Sequence, residues 1–346
     1  MKKTLKTLAI ATASLITTGA MAGVTQNMEN PLFIPAAGQF ASKTGVGLMY
    51  KVADDTVAMK RKNHDGATEF PVWRFTEDFS YGITDRFGAY VSLGWTQNDD
   101  IDRKGMHRGR IGLNYRVIET LENFIWDMYA EGYLSGVSPM KGAYDLDTGF
   151  KYDNFSNGRW GAVLGTKVGK KWSRFTASLF AEYLQTFGNH NNKIRIDQDA
   201  NVAGPLTMGM VGFPDEISVD LKSTKEITVG TNAFYQANDR WSFGGGFRFV
   251  EHTDNGVKSI HTKLNDPKSP ATSAHQQKVV NGLLAETKDM NDGWDEYILS
   301  AVVANQITDS FQLALVGEYT FDHSHKNSQN GTDVKAEVGV RANVRF

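Results

Sequence analysis

The C-terminal segment 334–346 alternates between apolar and polar side chains, and this pattern constrains the fold more than any other feature. A helix would scatter a period of two around its axis, whereas a strand collects it into one apolar and one polar face. The apolar face carries Ala336, Val338, Val340, Ala342, Val344 and Phe346, and the polar face carries Lys335, Glu337, Gly339, Arg341, Asn343 and Arg345.

The same alternation recurs along the chain in about 12 segments, most of them long enough for a tilted strand to cross a bilayer. They lie near 44–52, 70–83, 86–97, 107–118, 123–135, 158–168, 172–187, 224–236, 240–252, 295–306, 310–322 and 334–346. In the second segment Glu77 falls on the apolar face, which predicts a bulge or a wrong register there. The fifth segment fits either register.

The connections between these segments alternate between short and long. Short turns carry Asp or Asn, as at Asp85, Asp239 and Asp309, and an aromatic residue follows each turn. The longer connections are 53–69, 98–106, 136–157, 188–223, 253–294 and 323–333. Aromatic residues collect at both ends of the segments. The pattern predicts an all-β, transmembrane, antiparallel up-and-down barrel with interfacial aromatic girdles, short periplasmic turns and long extracellular loops. The soluble alternative is a β-sandwich or a periplasmic barrel.

The first residues predict a cleaved secretory signal. Lys2, Lys3 and Lys6 precede a mostly apolar stretch, and Ala20-Met21-Ala22 forms a small-x-small cleavage site. We therefore expect a signal peptide over 1–22 and a single barrel domain over 23–346.

Composition excludes several classes of function. The formal net charge is −2, which gives no general attraction to nucleic acid. Because the chain has no cysteine, disulfides, thiolate chemistry and lipoprotein anchoring are excluded. The sequence contains no phosphate-binding loop, zinc motif or dinucleotide fingerprint, so we expect no cofactor.

The signal, the repeated turns and the last strand ending Val344-Arg345-Phe346 resemble those of bacterial outer-membrane β-barrel proteins, in particular porin-like proteins. The resemblance spans the mature chain. It implies a location in the outer membrane, contact with its lipid and lipopolysaccharide, and both termini in the periplasm. It also implies that the barrel-assembly machinery recognises the strand that ends in Phe346.

The polar faces of the segments should point into the barrel. Segments 2, 4 and 12 carry inward arginines, and segments 8, 10 and 11 carry inward acids, so that Arg108 and Arg110 should face Glu296 across the lumen. A barrel of this size could hold a narrow pore or be closed by paired charges. The predicted pore-lining residues are Arg74, Arg108, Arg110, Arg116, Glu296, Glu318, Asp322, Arg341 and Arg345.

These features favour a porin-like channel for passive diffusion of small polar or anionic solutes. Two alternatives remain. His323-Ser324-His325 offers the residue types of a hydrolase at the barrel rim, acting on lipid or peptide. A closed structural or adhesive barrel could instead act through its outer loops, of which 188–223 and 253–294 are the longest and could also fold inward as a constriction.

Overall fold

The computed structural model describes residues 27–53, 72–98, 103–136, 141–145, 149–152, 158–188, 192–196, 198–199, 201–203, 206–207, 215–253, 257–261, 281, 293–324 and 333–346. The predicted signal peptide lies outside these residues. Among them there is no helix long and apolar enough to cross a membrane.

Twelve antiparallel strands close into a barrel, as the alternating pattern predicts. Each strand pairs with its neighbours in the chain, and the first pairs with the last. The strands are β1 (Phe40–Ala53), β2 (Val72–Gly82), β3 (Phe87–Asn98), β4 (Arg103–Glu119), β5 (Phe124–Leu134), β6 (Trp160–Trp172), β7 (Phe175–Thr186), β8 (Lys225–Gln236), β9 (Trp241–His252), β10 (Trp294–Thr308), β11 (Phe311–Ser324) and β12 (Asp333–Arg345).

The two ends of the barrel differ. At one, here called the turn end, β2–β3, β4–β5, β6–β7, β8–β9 and β10–β11 are joined by short turns, and both ends of the described chain lie there. The other is called the loop end. The second predicted loop, 98–106, is shorter than expected, because β4 already begins at Arg103.

The outer surface of the barrel is apolar. Ile111, Leu164 and Leu179 are 66%, 63% and 60% exposed, which a water-facing surface would not tolerate in one continuous belt. Aromatic side chains border the belt at both ends. At the turn end they are Tyr81, Phe87, Tyr115, Trp172, Phe175, Tyr235, Trp241, Phe311 and Phe346, and at the loop end Tyr50, Trp73, Trp95, Trp160, Phe187, Phe249, Tyr297, Tyr319 and Phe321. This is the outer face of a transmembrane barrel, with lipid as its solvent.

Glu77 lies on this outer face, and the bulge predicted around it is absent. The pairing of β2 with β1 and with β3 runs through Glu77 without a register shift. The hydroxyls of Ser42 and Thr44 on β1 donate to its carboxylate at 2.8 and 2.6 Å. The exception to the apolar pattern is therefore a polar group that the neighbouring strand satisfies.

Three of the long loops contribute to a small sheet at the loop end. Its five strands are, in order, Val257–His261, Glu216–Leu221, Asn192–Ile196, Lys141–Asp145 and Gly149–Tyr152. Ile217 and Val219 are buried in it, and Lys193 pairs with Glu216 at 2.6 Å. The sequence did not predict this sheet, because its strands are short and come from three separate loops.

Candidate functional site: the barrel lumen

The residues before β1 enter the lumen. The segment 27–39, here called the N-terminal segment, fills the turn end of the barrel, and its side chains Met28, Leu32 and Ile34 are 1%, 1% and 5% exposed. Two tight turns give the segment its shape: Asn27 and Asn30 each accept a backbone N–H two residues further on, at 3.0 and 2.9 Å. The asparagine side chains thus preform the local structure.

The same asparagines attach the segment to the wall. The Asn27 amide donates to Gln236 at 2.8 Å and to Ser242 at 2.9 Å, and its oxygen accepts from Gln312 at 3.0 Å. Asn30 donates to Thr176 at 3.0 Å. These partners come from β7, β8, β9 and β11, so the segment is bonded to several sides of the lumen at once.

Glu29 makes the charged contact. Its carboxylate accepts from Arg341 at 3.0 Å and from Asn343 at 2.7 Å, and its side chain is only 5% exposed. Burial alone would raise the pKa of Glu29, but the charges of Lys43 and Arg341 and the hydrogen bonds outweigh it, so that the pKa lies below its ordinary value. Glu29 is therefore ionised when the segment is docked.

Two cations of the wall bind backbone carbonyls of the segment. Arg116 donates to the Leu32 carbonyl at 2.7 Å while pairing with Asp127 at 2.9 Å, and Lys167 donates to the Pro31 carbonyl at 2.8 Å. Because these bonds go to backbone carbonyls, they do not depend on which side chains the segment has at positions 31 and 32. They also explain why Arg116 is 4% exposed.

The described residues line three cavities along the lumen. The middle chamber, of about 440 Å³, lies directly above the segment and is lined in part by Glu29, Pro31 and Arg341. The loop-end chamber, of about 550 Å³, shares Arg74, Arg108, Arg248, Glu318 and Glu337 with it, so the two are adjacent. A turn-end pocket of about 290 Å³ is lined by Asn27, Asn30 and Phe33. The N-terminal segment thus separates the chambers from the turn end.

The structure brings most of the sequence-predicted pore residues to the chambers. Those lining one or both are Arg74, Arg108, Arg110, Glu296, Glu318 and Arg341. Arg116 instead holds the N-terminal segment, and Arg345 donates to the Asp309 carbonyl at 2.9 Å in a turn. Asp322 pairs with Glu296 in the sheet, and its side chain lies outside the described ones.

Arg110 and Glu296 were expected to face each other across the lumen, but each of them pairs with other residues. Both line the loop-end chamber, but Arg110 pairs with Glu131 at 3.2 Å and with Glu182 at 3.5 Å. Glu296 lies 3.6 Å from His252. Each charge thus has a partner on its own side, which weakens the predicted field across the lumen.

Most of the candidate residues of a rim enzyme lie outside the part of the chain that the structure describes. His323 and Ser324 end β11, but their side chains are not among the described ones, and His325 lies outside the described chain. In the described residues no group of three His, Asp or Glu side chains could hold a metal ion.

Sequence reasoning missed the N-terminal segment and its partners. The available signal was local: Asn27, Asn30 and Pro31 mark tight turns, and the apolar residues 32–34 follow them before the first strand begins. Nothing in that stretch indicates that the apolar residues are buried inside a barrel.

Comparisons with known proteins support the architecture. No protein-family model and no curated protein matches the sequence. Among solved structures, the COG4313 outer membrane channel from Pseudomonas putida F1 is similar at a TM-score of 0.51 and 11% identity, over 94% of this chain and 100% of that one. The fold is that of bacterial outer-membrane β-barrel proteins.

Two further barrels are similar at lower scores. The NanC porin has a TM-score of 0.44 and 9% identity, over 86% of this chain and 98% of that one. The toluene transporter TbuX from Ralstonia pickettii has a TM-score of 0.39 and 11% identity, over 92% of each chain.

Proposed function

We propose that the protein is an outer-membrane channel for passive diffusion of small polar or anionic solutes, and that the N-terminal segment is its internal gate. The channel needs no cofactor. The chambers are lined largely by charged and polar side chains, which water and hydrophilic solutes can occupy.

The observation that carries the proposal is how the segment is held. Among the described residues, the hydrogen bonds between residues 27–36 and the wall all involve a side chain. Only the end of the segment bonds the wall through the backbone, where the Gly38 N–H donates to the Gly82 carbonyl at 2.7 Å and the Gly82 N–H donates to the Gln39 carbonyl at 2.9 Å. The barrel strands pair with one another and not with residues 27–36. Residues 27–36 can therefore leave the lumen without breaking a hydrogen bond between barrel strands, and their departure would join the chambers to the turn-end pocket.

The orientation and partners belong to the same proposal. After cleavage of residues 1–22, residues 23–346 form the mature barrel with both termini in the periplasm, so that the gate is on the periplasmic side. Phe346 exchanges backbone hydrogen bonds with Phe40 at 2.8 and 3.0 Å and packs against its ring. The barrel-assembly machinery would recognise this last strand, and the apolar belt would meet outer-membrane lipid and lipopolysaccharide.

Single-channel conductance in planar bilayers tests the proposal. The refolded mature protein should give small or rare steps, and a variant with Asn27→Ala, Glu29→Ala and Asn30→Ala should give larger or longer ones. The triple variant keeps the full length of the chain, so a change in its conductance cannot result from truncation. Deletion of residues 23–35 provides a second, stronger version of the same change. If all three proteins fold and remain silent, the channel proposal is wrong, and the loop-end sheet becomes the place to look for a binding function.

A further inference from the structure

The lumen is filled unevenly. Tyr90 and Tyr129 reach inward from β3 and β5, where Tyr90 bonds Glu131 and Tyr129 donates to Glu182 at 2.8 Å. Glycines line the middle chamber, among them Gly45 and Gly244. A Cβ at Gly244 would come within 2.7 Å of Val302 on the neighbouring strand, so this part of the wall is tightly packed. The middle chamber is lined mainly by β1, β2 and β8 to β12, and its other lining residues are Glu29, Pro31, Arg108 and Lys167.

The carboxylates around this space are matched to cations. Glu337 lies 2.9 Å from Arg74, and Glu318 lies 3.2 Å from Arg248. Glu226 lies 3.2 Å from His252, which carries a positive charge only when it is protonated. Glu29 and Glu182 are held by Arg341 and Arg110 as described above. The anionic groups are thus occupied by their own partners.

Arg108 differs from the arginines in these ion pairs. It lines both chambers, and among the described residues it has neither an ion pair within 4.0 Å nor a hydrogen bond, and its Nε is buried without a partner. The charges that act on it are Arg110 and Arg248 as well as Asp78. A half-buried guanidinium with a buried, unpartnered Nε and two like charges nearby is stabilised by a compensating anion. The site has the charge to bind one.

The wall of the loop-end chamber adds an apolar side. Phe180, Leu184, Val250 and Ile298 line it on β7, β9 and β10. Its volume of about 550 Å³ is within the range of small-molecule pockets. A ligand there could place an anionic group at Arg108 and an apolar body against these side chains.

We propose that Arg108 anchors a binding site for a small organic anion, a carboxylate with a compact apolar body, where the two chambers meet. The guanidinium presents two parallel N–H donors to a carboxylate, which a lysine could not. The proposal rests on the proposed function, because a solute reaches the lumen only if it enters the barrel.

Isothermal titration calorimetry of the mature protein in a nonionic detergent tests the site, with benzoate as the probe. Arg108→Gln should weaken benzoate binding by about 10- to 100-fold, the worth of a charge-assisted pair. Arg108→Lys should bind benzoate less tightly than wild type but more tightly than Arg108→Gln. Arg240→Gln, in an exposed turn, is the matched control and should bind as wild type.

Two further ligands distinguish the contribution of Arg108 from that of the apolar wall. Acetate lacks the apolar body and benzyl alcohol lacks the charge, so both should bind wild type more weakly than benzoate by about tenfold or more. The proposal is overturned if folded wild type does not bind benzoate, if Arg108→Gln binds it unchanged, or if acetate binds as tightly. If the folded barrel binds benzoate but does not conduct in bilayers, the binding site is supported and the channel function is refuted. If the barrel conducts but does not bind benzoate, the channel function is supported and the binding site is refuted.

Discussion

Replacing Glu29 with glutamine should release the N-terminal segment from the wall. The substitution keeps the size of the side chain and removes its charge. Arg341 then loses the carboxylate 3.0 Å away, and Asn343 loses an ionised acceptor at 2.7 Å. The contacts of Asn27 and Asn30 remain. The change therefore weakens docking without touching the barrel strands.

The magnitude follows from these two contacts. A hydrogen bond to a charged group stabilises a folded structure by about 1.5–3 kcal/mol. The Arg341 side chain is 29% exposed, so water replaces part of what it loses, and the lower half of that range applies. A loss of about 1.5–2 kcal/mol lowers the ratio of docked to released segment by about 10- to 30-fold.

The absence of cysteine gives a direct assay. In a Met28→Cys background the only thiol lies where Met28 is 1% exposed, so a water-soluble maleimide reacts with it only when the segment leaves the lumen. The labelling rate at pH 7 should rise by about 10- to 30-fold on adding Glu29→Gln. Glu122→Gln, an exposed carboxylate in a turn, is the matched control and should leave the rate unchanged. Equal rates with and without Glu29→Gln would refute the role of Glu29 as an anchor.

Three further predictions concern other contacts. Because the docked pKa of Glu29 is lowered, its contribution is present above the ordinary glutamate value of about 4.3 and is lost as the pH falls through the docked value. Open probability in bilayers should therefore rise only below about pH 4.3, and a Glu29→Gln channel should not show this rise. Thr44→Val removes one donor to Glu77 and should lower the free energy of unfolding in lipid vesicles by about 1 kcal/mol, measured in urea. Adding Glu77→Leu should restore it, and an equal loss in both variants would count against the contact. Arg116→Met leaves Asp127 buried and unpaired, which should cost about 3–5 kcal/mol in the same assay. Arg116→Met with Asp127→Leu should recover most of that loss, and no recovery would contradict the pairing.

The strands were predictable because the signal for each is local. Lipid on one side and polar lumen on the other impose a period of two, which β12 shows from Lys335 to Arg345. Strand ends were less predictable. β4 begins at Arg103, and its register shifts where Trp95 pairs with Met106, so the alternation is interrupted there. A pattern read from one segment cannot reveal such a shift, which depends on the partner strand.

Glu77 illustrates the same limit at a single residue. Within β2 alone a carboxylate on the apolar face is an inconsistency, and a bulge is the local way to remove it. The actual solution lies on β1, where Ser42 and Thr44 supply two hydroxyls. The register between β1 and β2 decides which residues meet, and it is fixed by the closed barrel.

The N-terminal segment was the least predictable part, because its partners lie on different strands that only the closed barrel brings together. The wall nevertheless carries a distinction that the sequence contains. Around the segment many inward side chains are neutral, and Ser242, Gln312 and Asn343 are fully buried, although Arg116, Lys167 and Arg341 also contact it. Charged side chains are more frequent around the loop-end chamber, where four Arg and five Glu are among the lining residues. Neutral amides and hydroxyls can be satisfied by protein in a dry site, whereas frequent charges call for water or for close ionic partners. Inward amides at one end of the strands therefore indicate a lumen filled by protein, and inward charges indicate the part left to water and solute.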